Sequence, residues 1–417
     1  MNTYIFISII IFLTTSLAFT SYKLDFVNSR FLFIKGILIY GICYLVSEVM
    51  GDRTFLDSMT QLEASLDYEG ILIHGFLSYL LFAGALHIKI KLFFEKLPEI
   101  LTLAIITTAL ATFLTALLLF SASSYLGYPL SPIACMLFAA CVSPTDPIAV
   151  IALLKNVKLP HSIETKIAGE SLLNDGIGIV FFTTFLHMAS AETLNVINLS
   201  SLFFREAIGG LLIGFLTSFT WAQLIQKTLH RDYSPKLDIY WSLSLVNLVY
   251  LVGTALDVSV PLACVSAGLT TSYQLADFSH ARYRTLLNFW DVVDDLLNTI
   301  IFFLTGTLVF RVMTLHSISD LLITSVLITC FTRVISVYLP IKYILFWRSQ
   351  YKNLISVVSL SGLKGGLSLA LALSIPNSIP GHEIIFAMTF SVVAFTLIIQ
   401  STAVSAYAQY LYDNGKL

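Results

Sequence analysis

The chain has 417 residues, 57% of them hydrophobic and only 12% charged, with 23 Lys and Arg against 25 Asp and Glu. Soluble domains carry about 25% charged residues, so too little charge is present to cover a water-facing surface, and a net charge of −2 gives no basic balance for binding nucleic acid. The five cysteines, Cys43, Cys135, Cys141, Cys264 and Cys330, form no CxxC or Cys/His cluster, which argues against a zinc site or a disulfide framework and leaves them as small apolar packing residues.

A helix needs about 20 apolar residues to cross a bilayer. Runs of that kind lie near 4–20, 31–50, 70–92, 99–126, 131–156, 163–190, 202–227, 239–256, 258–274, 286–311, 317–346, 353–375 and 382–412. They predict an all-α integral membrane protein of about thirteen spans. The first run has no basic flank and no clean small-x-small cleavage site, so it reads as a membrane helix rather than a signal peptide. The run at 258–274 is short and polar-rich and makes the weakest case for a span. No loop is long enough for a soluble domain, and the whole of 1–417 reads as one membrane domain.

Lys and Arg alternate from loop to loop. One set of loops holds Lys23, Arg30 and Lys35, then Lys89, Lys91 and Lys96, then Lys155, Lys158 and Lys166, then Lys227, Arg231 and Lys236, then Arg282 and Arg284, then Arg348 and Lys352. The other set is mainly acidic. Basic residues concentrate on the cytoplasmic side, which predicts an outside N-terminus and a cytoplasmic C-terminus in the plasma (inner) membrane.

Charges inside the bilayer cost about 2.5–3.5 kcal/mol each on insertion scales, so they need partners, water or a job. Asp146 lies in Ser143-Pro144-Thr145-Asp146-Pro147, where each proline removes an amide donor and clashes with the turn before it. The helix should open there and free carbonyls, which a membrane tolerates only beside protein or a watery cavity. Gly169-Glu170-Ser171-Leu172-Leu173-Asn174-Asp175-Gly176 follows. In it Ser171 and Asp175 share one helical stripe, and Glu170 and Asn174 share the next. Burial disfavours the ionised form of Asp175 and a bound cation favours it, so that one carboxylate can hold either a proton or a cation. Arg333, in the middle of a long apolar run, needs a carboxylate, and Glu170 is the best available. Lys364 stands in Gly362-Leu363-Lys364-Gly365-Gly366, whose glycines let the backbone open a second time. Its ammonium can neutralise carbonyl ends of the crossing half-helices. The two interruptions occupy corresponding places in two halves of the chain, the pointer to inverted repeats in a transporter. Asp291, Asp294, Asp295 and Asn298 read as solvated or capping groups where a span opens. His87 reads as interfacial, and Trp221, Trp241, Trp290 and Trp347 as members of an aromatic belt.

These motifs, with Gly362-Leu363-Lys364-Gly365-Gly366-Leu367-Ser368 and Arg333, resemble the monovalent cation–proton antiporters, specifically the Na+/H+ exchanger branch of NhaP type. The resemblance covers essentially the whole chain. It implies a secondary transporter, not an enzyme, that needs no cofactor and exchanges Na+, or on the same scaffold K+ or Li+, for H+. It implies a homodimer whose protomer has a six-helix core with two broken crossing helices, here about 99–190 and 317–412, and a dimerising scaffold, about 1–92 and 202–311. It implies that Asp175 is the central carboxylate, with Ser171 and Thr145 as further Na+ ligands. Asp146, Pro144 and Pro147 then support the unwound crossing, and Glu170 pairs with Arg333. The Asn174-Asp175 pair resembles the electroneutral, one-for-one members. Two positions depart from the pattern. Lys364 stands where many relatives have arginine, and Ala83, in Leu80-Leu81-Phe82-Ala83, stands where many have a glutamate. A gated channel or an ion-regulated receptor is the rival class, and no repeated filter sequence or charged ring supports it.

Overall fold

The computed structural model describes residues 32–38, 70–146, 161–190, 196–228, 235–275, 280–307, 318–343 and 358–414, with the single positions 16, 41 and 356. The expected span at 4–20, most of that at 31–50, Pro147 and Trp347 lie outside these residues. The described residues are helical, with turns and short irregular links. In chain order the helices are α1 (Gly70–Leu86), α2 (Ile90–Glu95), α3 (Leu97–Tyr125) and α4 (Pro132–Val142). Then come α5 (His161–Ser190), α6 (Val196–Thr228), α7 (Pro235–Ala255) and α8 (Val260–Leu275). The last four are α9 (His280–Thr307), α10 (Ser319–Tyr343), α11 (Gly366–Leu373) and α12 (His382–Asp413). Six of them (α3, α5, α6, α7, α10 and α12) contain stretches long and apolar enough to cross a membrane.

Packing sorts the helices. α3, α4, α5, α10, α11 and α12 contact one another, α1, α6, α7, α8 and α9 do likewise, and α5 and α11 touch members of both sets. Exposure follows from position: 61% of the apolar window of α5 is buried against 17% of that of α6. α5 is therefore central, while α6 turns Phe204, Ile208, Leu212, Phe215 and Leu216 outward. The short helix α8 forms despite its polar content because it is enclosed on several sides, with Ala263, Cys264, Val265 and Ala267 fully buried. Close approach makes this possible. Gly210 and Gly214 of α6 face the backbone of Ser259 and Ala263 with no room for a Cβ, the small-residue packing that membrane helices use.

Among the described residues three predicted spans are interrupted, one of them, 353–375, at 361–365. The 70–92 run stops being helical at Leu86, and His87 to Lys89 turn the chain into α2. The 131–156 run ends its helix at Val142, ahead of Pro144, as the ring clash requires. The belt expected of the tryptophans is corrected for Trp290, which is fully buried. Its ring packs against Tyr79 and Phe82, and its Nε1–H donates to Ser242 Oγ at 3.1 Å. A large apolar ring with one donor is equally suited to a core that offers one acceptor. Trp241 is also buried.

Ion pairs fix which loops share an end. Lys89 lies 3.8 Å from Glu164 and Lys166 pairs with Glu99. The starts of α3 and α5 and the end of α1 therefore meet at one pole of the bundle.

Candidate functional site

The two irregular segments, 143–146 and 361–365, lie against each other. The Asp146 N–H donates to Leu363 O at 2.8 Å. Lys364 Nζ donates to Ser143 O and to Pro144 O, each at 3.1 Å. These carbonyls follow the last turn of α4, where the helix leaves its acceptors unused, and a cation belongs at that negative end. The arrangement is reciprocal. Asp146 sits at the start of α11, so close to Gly365 that a side chain there would put its Cβ 2.8 Å from Asp146 Oδ2. An acid is thus seated at the positive end of one half-helix and a base at the negative end of the other. The Lys364 N–H donates to Thr396 Oγ1 of α12 at 3.2 Å, a partner that the sequence did not reveal.

α5 crosses beside this junction and presents two acidic residues with different surroundings. Glu170 is 2% exposed and Arg333 6%, and they pair in bidentate fashion, Nη1 to Oε1 at 2.9 Å and Nη2 to Oε2 at 3.3 Å. Gly362 makes the room, since a Cβ there would lie 2.7 Å from Arg333 Nε. On the very next residue, Ser171 Oγ shares a hydrogen bond of 3.0 Å with Thr145 Oγ1, and one turn past Glu170 the Asn174 Nδ2 donates to Thr145 Oγ1 at 3.2 Å. Asn174 therefore joins the Ser171 group rather than following Glu170, its neighbour on the stripe. Asn174 Oδ1 is buried with no partner. Asp175 accepts from the Thr145 backbone N–H.

Asp175 is partly exposed, and it lines a cavity of about 90 Å³ with Pro144, Thr145, Asp146, Leu172 and residues 365–368. Since about 10–15 Å³ holds one water, the cavity has room for several. Residues of α1 and α9 complete the lining. Leu77, Leu80, Leu81 and Gly84 line the cavity and Ala83, on the same helix, does not. Asn298 of α9 is also a lining residue. Asp291 and Asp295 are exposed, in keeping with the solvated role expected of them, whereas the reading of Asn298 is corrected, because it lines the cavity. α9 begins at His280, so Asp291 is already three turns inside it, and the stripe through Asn298 points at the cavity. The four-residue spacing of Asp294 and Asn298 was the available signal. At the exposed end, His87 Nε2 lies 2.8 Å from Asp291 Oδ1, and His87 Nδ1 lies 2.7 Å from Ala83 O. Among the described residues no group of three or more His, Cys, Asp or Glu side chains could hold a multivalent metal. The oxygens offered around Asp175 are few, uncharged apart from the carboxylates, and backed by hydroxyls.

A family model described as "Sodium/hydrogen exchanger, transmembrane" matches residues 9–410. The chain is 28% identical over 417 residues to the Na(+)/H(+) antiporter NhaP of Pseudomonas aeruginosa, covering 97% of this chain and 96% of that protein. It is 31% identical over 340 residues to the Na(+)/H(+) antiporter NhaH of Halobacillus dabanensis, covering 80% and 81%. Among solved structures, the sodium proton antiporter MjNhaP1 from Methanocaldococcus jannaschii at pH 8 superposes with a TM-score of 0.74 over 98% of each chain at 19% identity. The fold is thus that of a multi-pass membrane transporter, and the chain belongs to the sodium/hydrogen exchanger family.

Proposed function

We propose that this protein exchanges Na+ for H+ across the membrane, with the two ions occupying the Asp175 carboxylate in turn. The observation that carries the reading is the position of Asp175: a carboxylate on the wall of a water-sized cavity, beside a helix break and within a turn of two hydroxyls. The Thr145 and Ser171 hydroxyls face each other and can turn their lone pairs to an ion, and the Asn174 amide holds Thr145 in place. Asp175, Thr145 and Ser171 then supply the Na+ ligands, with Asp146 beside them on the cavity wall. A proton on Asp175 removes the charge that binds the cation, so the two compete.

Charge balance supports one-for-one exchange. Around the crossing, the carboxylates Asp146, Glu170 and Asp175 face the cations Lys364 and Arg333. The cluster is one positive charge short, and either one proton or one Na+ supplies it. Neutral exchange leaves the membrane potential, worth about 2.3 kcal/mol per charge per 100 mV, without influence on the direction of transport. We assign the pole bearing Lys89, Lys96 and Lys166 to the cytoplasm of an inner-membrane protein, with the N-terminus outside and the C-terminus inside. We read the protein as a homodimer.

The test is Na+-dependent proton movement in proteoliposomes. The wild type should exchange, its apparent KM for Na+ should rise as pH falls, and clamping the potential should leave the rate unchanged. Asp175→Asn should insert and fold yet exchange at background rate. Normal exchange by that variant would remove the mechanism, and exchange of K+ without Na+ would change the substrate.

A further inference from the structure

α12 is one of the helices apolar enough to span a membrane, yet Thr396 and Gln400 stand in its middle. Both belong to Thr396–Gln400, where the helix widens into a π-turn. Such turns are rare and occur frequently at functional sites. A polar side chain at that depth needs a partner within the protein. Thr396 is 1% exposed and Gln400 is partly buried, and neither lines the Asp175 cavity.

Their partners are the two ends of the second break. Gln400 Nε2 donates to Leu360 O at 2.7 Å, on the helical residues that precede the opening. Thr396 Oγ1 accepts from the Lys364 N–H at 3.2 Å and donates its own hydrogen to Val393 O at 3.0 Å. Leu360 and Lys364 are four residues apart, as are Gln400 and Thr396, so the two segments pass each other in opposite directions with matched spacing. An opened helix in a membrane leaves backbone groups that only protein can satisfy, and α12 satisfies an acceptor on one side of this opening and a donor on the other. The bonds continue to the first break. Leu363 O accepts from the Asp146 N–H at 2.8 Å, and Lys364 Nζ donates to Ser143 O and Pro144 O at 3.1 Å each. Thr145 lies between these anchored residues.

We propose that Thr396 and Gln400 are positioning residues for the cation site: they fix the second break, which through Leu363 and Lys364 fixes the first and so aims the Thr145 hydroxyl at the ion. The inference rests on the reading of Asp175, Thr145 and Ser171 as the Na+ ligands. Neither Thr396 nor Gln400 touches the ion. A lysine ammonium rides on a flexible stem, so Lys364 can brace the first break only if its own backbone is held, and the bond from its N–H to Thr396 holds it. Misplacing a group by about 1 Å from a distance can cost about a hundred-fold in function, which gives such remote anchors their leverage.

The test uses the full chain in proteoliposomes, with initial rates of exchange titrated against Na+. Thr396→Val keeps the side chain's shape and removes the acceptor. It should raise the apparent KM for Na+ about ten-fold, the low end of what is lost when a hydrogen bond that orients a metal ligand is removed. Gln400→Met, which frees the far side of the break, should raise KM by a smaller factor. Thr396→Ser keeps the acceptor and should restore the wild-type KM. The amount of folded transporter sets Vmax but not KM, so a merely structural role would lower Vmax and melting temperature and leave KM unmoved. A folded Thr396→Val protein with the wild-type KM would overturn the proposal whatever its Vmax, as would a KM in Thr396→Ser raised as far as in Thr396→Val. Should Thr396→Val fail to fold, Gln400→Met decides the matter: a raised KM supports the proposal and an unchanged one removes it. A wild type that exchanges no Na+, or an Asp175→Asn variant that exchanges normally, would instead overturn the underlying reading and this proposal with it.

Discussion

Glu170 and Asp175 sit five residues apart on one helix, and their surroundings could hardly differ more. Glu170 is buried and answered by a bidentate arginine. Asp175 borders a cavity, has a backbone amide and two neighbouring hydroxyls, and stands beside a second acid, Asp146. A carboxylate whose lone pairs are taken up by a fixed partner has no capacity left for an exchangeable ion. One left short, and reachable by water, has. The contrast separates a charge that holds the fold from a charge that the fold holds ready.

The largest effect expected from breaking this contrast is on the first side. Arg333→Ala leaves Glu170 buried without its partner, which costs about 3–5 kcal/mol. Yield and melting temperature in detergent should fall accordingly, and any protein that survives should keep a near-normal KM for Na+. The double variant Glu170→Gln with Arg333→Met removes both charges and should regain much of the loss. A single variant that melts like the wild type but binds Na+ poorly would move Arg333 from the frame into the ion site.

Lys364 lies between the two cases, buried like Glu170 but bonded to carbonyls of the break itself. Lys364→Met strips the donor from Ser143 O and Pro144 O, at about 1–3 kcal/mol for each acceptor left unsatisfied. It should lower both the melting temperature and the exchange rate. Lys364→Arg keeps the charge with a different donor geometry and should recover more stability than Met does. Equal losses in the two variants would mean that shape, not charge, matters at this position.

Much of this was readable from sequence because membrane residues obey strict rules. An arginine in mid-bilayer demands a carboxylate, and Pro144 with Pro147 demands a break, so the pairing partner of Arg333 and the opening of the helix around Pro144 could be named from the chain alone. What could not be read depends on how separate helices pack. That Leu363 O would accept from Asp146, that Thr396 would hold Lys364, and that Trp290 would leave the surface for the core are outcomes of three-dimensional register. Asn298 was missed for a related reason. The start of α9 was placed near 286, several residues past its actual start at His280, and that displacement turned an inward-facing stripe into a helix entrance. Ala83 shows the reverse: a position picked by resemblance lies off the cavity that its helix neighbours line.

The smallest stability effect should come from the residue whose loss matters most to transport. Asp175→Asn keeps the side chain's volume and an oxygen to accept from Thr145 N–H, and it removes one of two adjacent acids. Its stability without Na+ should therefore stay within about 0.5 kcal/mol of the wild type, the range of substitutions that break no structural contact. The wild type should gain stability as Na+ is added, because a ligand that binds only the folded state stabilises it by RT ln(1 + [L]/Kd), and the variant should gain none. The two measurements together are sharper than either alone. A variant that loses the Na+-dependent rise while melting normally without Na+ places the cation on Asp175. If Asp175→Asn instead melts as low as Arg333→Ala, then both carboxylates of α5 hold the fold, and the ion site must be sought elsewhere in the cavity.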